Sequence, residues 1–151
     1  MKTTSPAGNS VQAAAAYPVI PFCEFLGLRI EEMELDRAVV SVDVEDKHMN
    51  SMRVSHGGVL LSAMDLACGM AAALRKAPEP RRRTVTVSLT TQFIAPVRAG
   101  RLTVAGRCVA DGRSVVYCEA EARDGEDRLV GTATGAFRVV RDPPEGRVEG
   151  T

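Results

Sequence analysis

Residues 48–70 read HMNSMRVSHGGVLLSAMDLACGM. From Gly57 to Leu74 every residue is apolar or small except Asp65, and the run follows His48 and His56, the only histidines of the chain. A lone ionised carboxylate in an apolar surround is expensive, so Asp65 must have partners or water, and its own helix offers none. At the head of the run, Ser55 is a plausible N-cap, and the N–H groups of Gly57 and Gly58 would point out of the positive end of the helix dipole. Two residues without side chains let an oxygen approach that backbone closely. Such a pair of donors can stabilise an oxyanion. Asp65 lies about 2.5 turns beyond His56, a rise of roughly 13 Å, so one chain does not easily bring both to one reacting atom. An antiparallel partner helix would. We therefore expect an isologous dimer with the site at its interface.

The elements that position these residues follow from periodicity. At about 100° per residue, Gly58, Ser62, Asp65, Gly69 and Ala72 fall on one helical stripe and Leu60, Met64, Ala67, Ala71 and Leu74 on another. The second stripe should meet a sheet; the first leaves room for another backbone or a ligand. AVVSVDV (38–44) alternates as a half-buried strand, pairing with LRIEEMEL (28–35) before it. TVTVSLTTQF (84–93) sets Val85, Val87, Leu89, Thr91 and Phe93 against a face of Thr84, Thr86, Ser88, Thr90 and Gln92. Residues 101–125 have the shape of a hairpin turning at Asp111-Gly112, with Val116, Cys118, Ala120 and Ala122 facing inward. A last strand alternates Leu129, Gly131, Ala133, Gly135, Phe137 and Val139. The order is strand, strand, long helix, then about four strands: an α+β layout in which one antiparallel sheet buries one helix.

Bulk properties narrow the function. The 151 residues suit one domain, with a disordered leader over 1–18, a domain over 19–140 and a flexible tail over 141–151. Nineteen basic and nineteen acidic residues cancel, which argues against nucleic acid or an anionic membrane as partner. The N-terminus lacks the pattern of a signal peptide, and Asp65 near the centre of the apolar run favours a buried helix over a membrane span. Four cysteines without a CxxC pair, and two histidines, give no metal-site spacing. Buried free thiols in a reducing cytoplasm are the expectation, although Cys108 and Cys118 fall on neighbouring strands.

The stretch from Asn50 to Asp65, N-x5-HGG-x6-D, followed about thirty residues later by the strand ending FIAPVRAG, resembles the PaaI-type hotdog-fold thioesterases, which include the mammalian thioesterase superfamily member 2. The resemblance covers roughly residues 20 to 140 and implies a hotdog fold, a central helix wrapped by an antiparallel sheet. It further implies a dimer that often pairs into a tetramer, and hydrolysis of acyl-CoA thioesters with neither metal nor cofactor. Carried over by position, the Gly57 N–H polarises the thioester carbonyl with help from Asn50. Asp65 of the other subunit is general base or nucleophile, Thr86 orients the attacking water, and His56 supports the Asn50 loop and the helix start. Gly58 contributes to binding the substrate. Arg53 stands where the family commonly has Gly, which bears on the loop shape and on acyl or CoA contacts.

Plainer readings stand beside these. His56 can be a helix-capping histidine, Asp65 a structural acid, Asn50 a turn former and Thr86 a β-former on an exposed face. His48 and Arg53 read as a surface loop. Arg81, Arg82 and Arg83 either grip CoA phosphates or form a solvated loop between helix and strand. Two other functions remain open. A hotdog hydratase or dehydratase would need the Pro/Gly-rich His loop of the fatty-acid dehydratases, which has no counterpart here. A non-catalytic acyl-CoA-binding sensor is usually fused to a DNA-binding segment, for which the short leader leaves no room.

Overall fold

The structure, a computed structural model, describes residues 18–74 and 82–140. The expected leader, apart from Pro18, the expected tail and Arg81 lie outside the described residues. Helix α1 (Pro21–Leu26) opens the described chain and is followed by β1 (Arg29–Glu34), β2 (Arg37–Val44), a 3₁₀ turn (Asp46–His48) and the long helix α2 (Gly57–Ala73). Strands β3 (Arg83–Phe93), β4 (Gly100–Asp111), β5 (Val115–Arg123) and β6 (Leu129–Val140) complete it. Sequence periodicity does not reveal α1; Pro21 starts it, and Gly27, at φ 72°, ends it in the left-handed region.

All strand pairs are antiparallel and form one sheet in the order β1-β2-β4-β5-β6-β3. This is the expected α+β hotdog arrangement, with α2 lying across the inner face of the sheet. Ala38, Val40, Val42, Leu102, Val104, Val116, Cys118, Ala120, Ala122 and Phe137 form the sheet side of the core. Of the stripe expected to meet the sheet, Leu60, Met64, Ala67 and Ala71 are buried on the helix side, while Leu74, the C-cap beyond the last helical residue, is half-buried. The two layers touch through backbone at one point. A Cβ on Gly106 of β4 would lie 2.5 Å from the Ala67 carbonyl carbon, so only glycine lets α2 come this close.

Two strands depart from simple alternation. The β4–β5 connection is Gly112–Ser114 rather than a two-residue turn, because the register shifts between Cys108 and Ala110 and Asp111 stays in the ladder opposite Val116. In β3 the register shifts between Thr86 and Ser88, which makes Val87 the extra residue of a β-bulge. One inserted residue exchanges the faces of everything beyond it. Thr84 and Thr86 therefore share the helix-facing side with Leu89 and Phe93, while Val85 and Val87 are exposed on this edge strand. The expected apolar face of Val85, Val87, Leu89, Thr91 and Phe93 does not exist as one surface.

Candidate active site

The site begins at the N-terminus of α2. His56, not Ser55, is the N-cap: its backbone is non-helical (φ −59°, ψ 137°) and its Nδ1 accepts from the Gly58 N–H at 2.9 Å. Ser55 is held one step earlier: its N–H donates to the Val97 carbonyl at 2.7 Å, and it separately pairs with Met49 in an isolated antiparallel bridge. The Gly58 donor is thus taken up by the cap. Nothing among the described residues accepts from the Gly57 N–H, which is left at the positive end of the helix. Gly57 is also closely flanked, since a Cβ there would sit 3.2 Å from the Phe93 ring.

The loop before the helix is self-tied. Asn50 Oδ1 accepts from the Met52 N–H at 2.9 Å and the Val54 N–H at 3.3 Å, and the Asn50 N–H donates to the Val54 carbonyl at 2.8 Å. With the carbonyl end of its side chain spent on the turn, Asn50 keeps its NH₂ end as a donor. Arg53 adopts φ 56°, the left-handed conformation that glycine takes without cost, so the loop keeps that shape with arginine in place. Its guanidinium reaches Asp46 at 2.8 Å on the exposed surface.

His48 is not a loop-surface residue. It is buried, 1% exposed, and locks three segments together. Its Nδ1 accepts from the Glu45 N–H at 2.9 Å, which fixes Nε2–H as the donor to the Leu26 carbonyl at 2.8 Å, while its own carbonyl accepts from the His56 N–H at 2.7 Å. One side chain and its backbone thereby tie α1, the 3₁₀ turn and the start of α2. The sequence hid this because the neighbours Asp46, Lys47 and Met49 carry no apolar pattern.

Asp65 is half-buried two turns further along α2, and it has a partner from another element: the Thr86 Oγ1–H donates to Asp65 Oδ1 at 2.6 Å. The bulge at Val87 keeps Thr86 on the helix-facing side in phase with Leu89. Around this pair is a cavity of about 530 Å³, lined mostly by apolar groups that include Leu61, Leu66, Met70, Leu89 and Phe137. Cys23 of α1 joins the lining; burial, and then the Asp65 carboxylate, push its thiol above the ordinary value. A separate cavity of about 280 Å³ lies at the helix start, bordered by Asn50, Gly57, Phe93 and Pro96. Asp65 with Thr86 and Gly57 with Asn50 thus occupy different cavities of the same chain.

The arginines divide. Arg82 is spent at the other end of α2: its backbone N–H donates to the Ala73 carbonyl at 2.9 Å, and its guanidinium donates to the Ala72 carbonyl at 3.0 Å and to Asp111 at 2.6 Å. Arg83 begins β3, and Arg81 lies outside the described residues. The four cysteines are free, and Cys108 faces Cys118 across β4 and β5. Among the described residues no three His, Cys, Asp or Glu side chains cluster as metal ligands would. Nor is any helix there long and apolar enough to cross a membrane.

An apolar cavity holding a hydroxyl-bonded carboxylate, together with an unpartnered helix N-terminus, suits hydrolysis of an acyl compound, and comparison with known proteins agrees. Residues 52–131, from the Asn50 loop to β6, match the family model described as the thioesterase superfamily. The chain belongs to that superfamily. As a thioesterase-superfamily enzyme it is a thioester hydrolase. A Pseudomonas aeruginosa protein provisionally named as an esterase is 32% identical over 79% of this chain and 88% of its own. The medium/long-chain acyl-CoA thioesterase YigI of Escherichia coli is 25% identical over 80% of this chain and 86% of its own. The structure of the E. coli PaaI protein from the phenylacetic acid degradation operon superposes with a TM-score of 0.77, at 25% identity, covering 85% of this chain and 91% of that one. The fold is the PaaI-like hotdog.

Proposed function

We propose that the protein is an acyl-CoA thioesterase whose active site is completed by a second subunit. Asp65 and Thr86 of one chain act on a thioester held by Gly57 and Asn50 of the partner subunit. The reading rests on the division of the two halves: a hydroxyl-bonded carboxylate in the larger cavity, and a free helix N–H in the smaller one about 12 Å away along the same helix. Neither half alone can both activate water and receive the developing oxyanion. The name of YigI supports acyl-CoA as the substrate class.

Asp65 takes a proton from water while the water oxygen bonds to the thioester carbon. The carbonyl oxygen becomes an oxyanion, which accepts from the Gly57 N–H at the helix N-terminus and from the Asn50 NH₂. Collapse of the tetrahedral species breaks the C–S bond, and the proton held by Asp65 passes to the departing CoA sulfur, leaving the carboxylic acid. Thr86 acts as a positioning residue by holding one oxygen of Asp65, which leaves the other to face water.

Thiol release from a panel of acyl-CoAs tests the assignment. Asp65→Asn should lower kcat by about 10²–10⁴-fold on the best substrate. Hydrolysis by Asp65→Asn at the wild-type rate would sink the mechanism. Binding of acyl-CoA without cleavage by the wild type would point to a sensor instead.

A further inference from the structure

Building on the thioesterase reading, we propose that Gly69 is the residue that sets which acyl groups fit beside Asp65. The two are four residues apart, stacked on one face of α2, and both line the larger cavity. A helical side chain leans back over the preceding turn, so any side chain at position 69 would stand over Asp65 and take up the space next to its carboxylate. Packing within the chain does not demand glycine here. A Cβ on Gly69 would meet only a Phe137 ring carbon among the described residues, at 3.9 Å, an ordinary contact. At Gly106, by contrast, the added atom would collide with the helix backbone at 2.5 Å. Nor does conformation demand it, because Gly69 is helical and is not among the glycines of positive φ. Glycine inside a helix weakens it relative to alanine. What Gly69 provides is room on the cavity side, bounded by Leu66, Met70, Leu89 and Phe137. Those walls are apolar, so the fitting occupant is hydrocarbon: the acyl carbons just beyond the thioester carbonyl. A methyl group at position 69 narrows the cavity at those carbons and leaves the reacting groups in place.

The measurement is kcat and KM for wild type, Gly69→Ala and Gly69→Val on acetyl-, hexanoyl- and benzoyl-CoA, with thermal melting and light scattering on each variant. One methyl in an apolar pocket discriminates by about tenfold or more. Gly69→Ala should therefore lower kcat/KM for hexanoyl- and benzoyl-CoA at least tenfold relative to acetyl-CoA, with Gly69→Val more severe, at an unchanged or higher melting temperature. Unchanged ratios overturn the proposal. So does a uniform loss on all three substrates with a smaller dimer fraction, which would mean that Gly69 makes room for a partner helix. Failure of the thioesterase reading looks different, since wild type then cleaves no member of the wider acyl-CoA panel; if wild type cleaves and Asp65→Asn does not, unchanged ratios count against Gly69 alone.

Discussion

A shared site makes a quantitative prediction about mixtures of two inactive variants. From Gly57 to Asp65 is eight residues, a rise of about 12 Å and a turn of roughly 80° beyond two full circles. The oxyanion donor and the attacking water must both lie about 3 Å from one carbonyl group. One chain therefore does not easily supply both. Take Asp65→Asn, which removes the base, and Gly57→Val, whose side chain is driven into the Phe93 ring already 3.2 Å from the position of a Cβ. Each should be inactive alone. In a two-fold dimer, the heterodimer has one site with both defects and one site with neither. Random exchange makes half the dimers mixed, so about a quarter of all sites, and of wild-type specific activity, should return. The assay is thiol release after co-expression, or after exchange in mild denaturant, with wild type treated identically. If each site lay within one chain, every site in the mixture would carry a defect. No recovery from variants that fold and exchange refutes the shared site.

Other substitutions test the scaffold and its pH dependence. Thr86→Val removes the hydroxyl that holds Asp65 Oδ1 while keeping the β-branched shape; kcat should fall about tenfold with KM little changed, and an unchanged kcat would show that the hydrogen bond does not position the base. Arg53→Gly should raise stability by about 1 kcal/mol by relieving the left-handed residue, and an exposed pair with Asp46 offsets little of that gain; thermal melting reads it, and a lower melting temperature would refute it. Gly106→Ala should cost about 1–3 kcal/mol by pushing α2 off β4, measured as a shift of the urea midpoint. Burial, and then Cys108, push the Cys118 thiol up to about 12, and burial raises Cys68 as well. Unfolded thiols ionise near 9.0, so above that pH the unfolded state sheds protons that the native state keeps. Stability, present in full below pH 9, should then decline by up to about 1.4 kcal/mol per pH unit for each thiol. Urea midpoints from pH 8 to 11 test this: Cys118→Ala should flatten the slope, and equal slopes would refute it.

The sequence by itself determined what periodicity and local chemistry control. The α2 helix, its greasy stripe through Leu60, Met64, Ala67 and Ala71, the inward face of β5 and the pairing of β1 with β2 all follow from side-chain spacing along one segment. The unit with HGG at the helix start and Asp65 within the helix, and its separation into two halves, were legible for the same reason. Tertiary structure decided whatever depends on residues far apart in the chain. The N-cap is His56 rather than Ser55 because Ser55 is pinned in an extended bridge to Met49 and by the carbonyl of Val97, more than forty positions away, and the helix starts after it. His48 became an internal clamp because α1 folds back onto it. Thr86 reached Asp65 because a bulge at Val87 sets which residues of β3 face the helix, and alternation read along β3 alone cannot register an extra residue that exists only relative to β6.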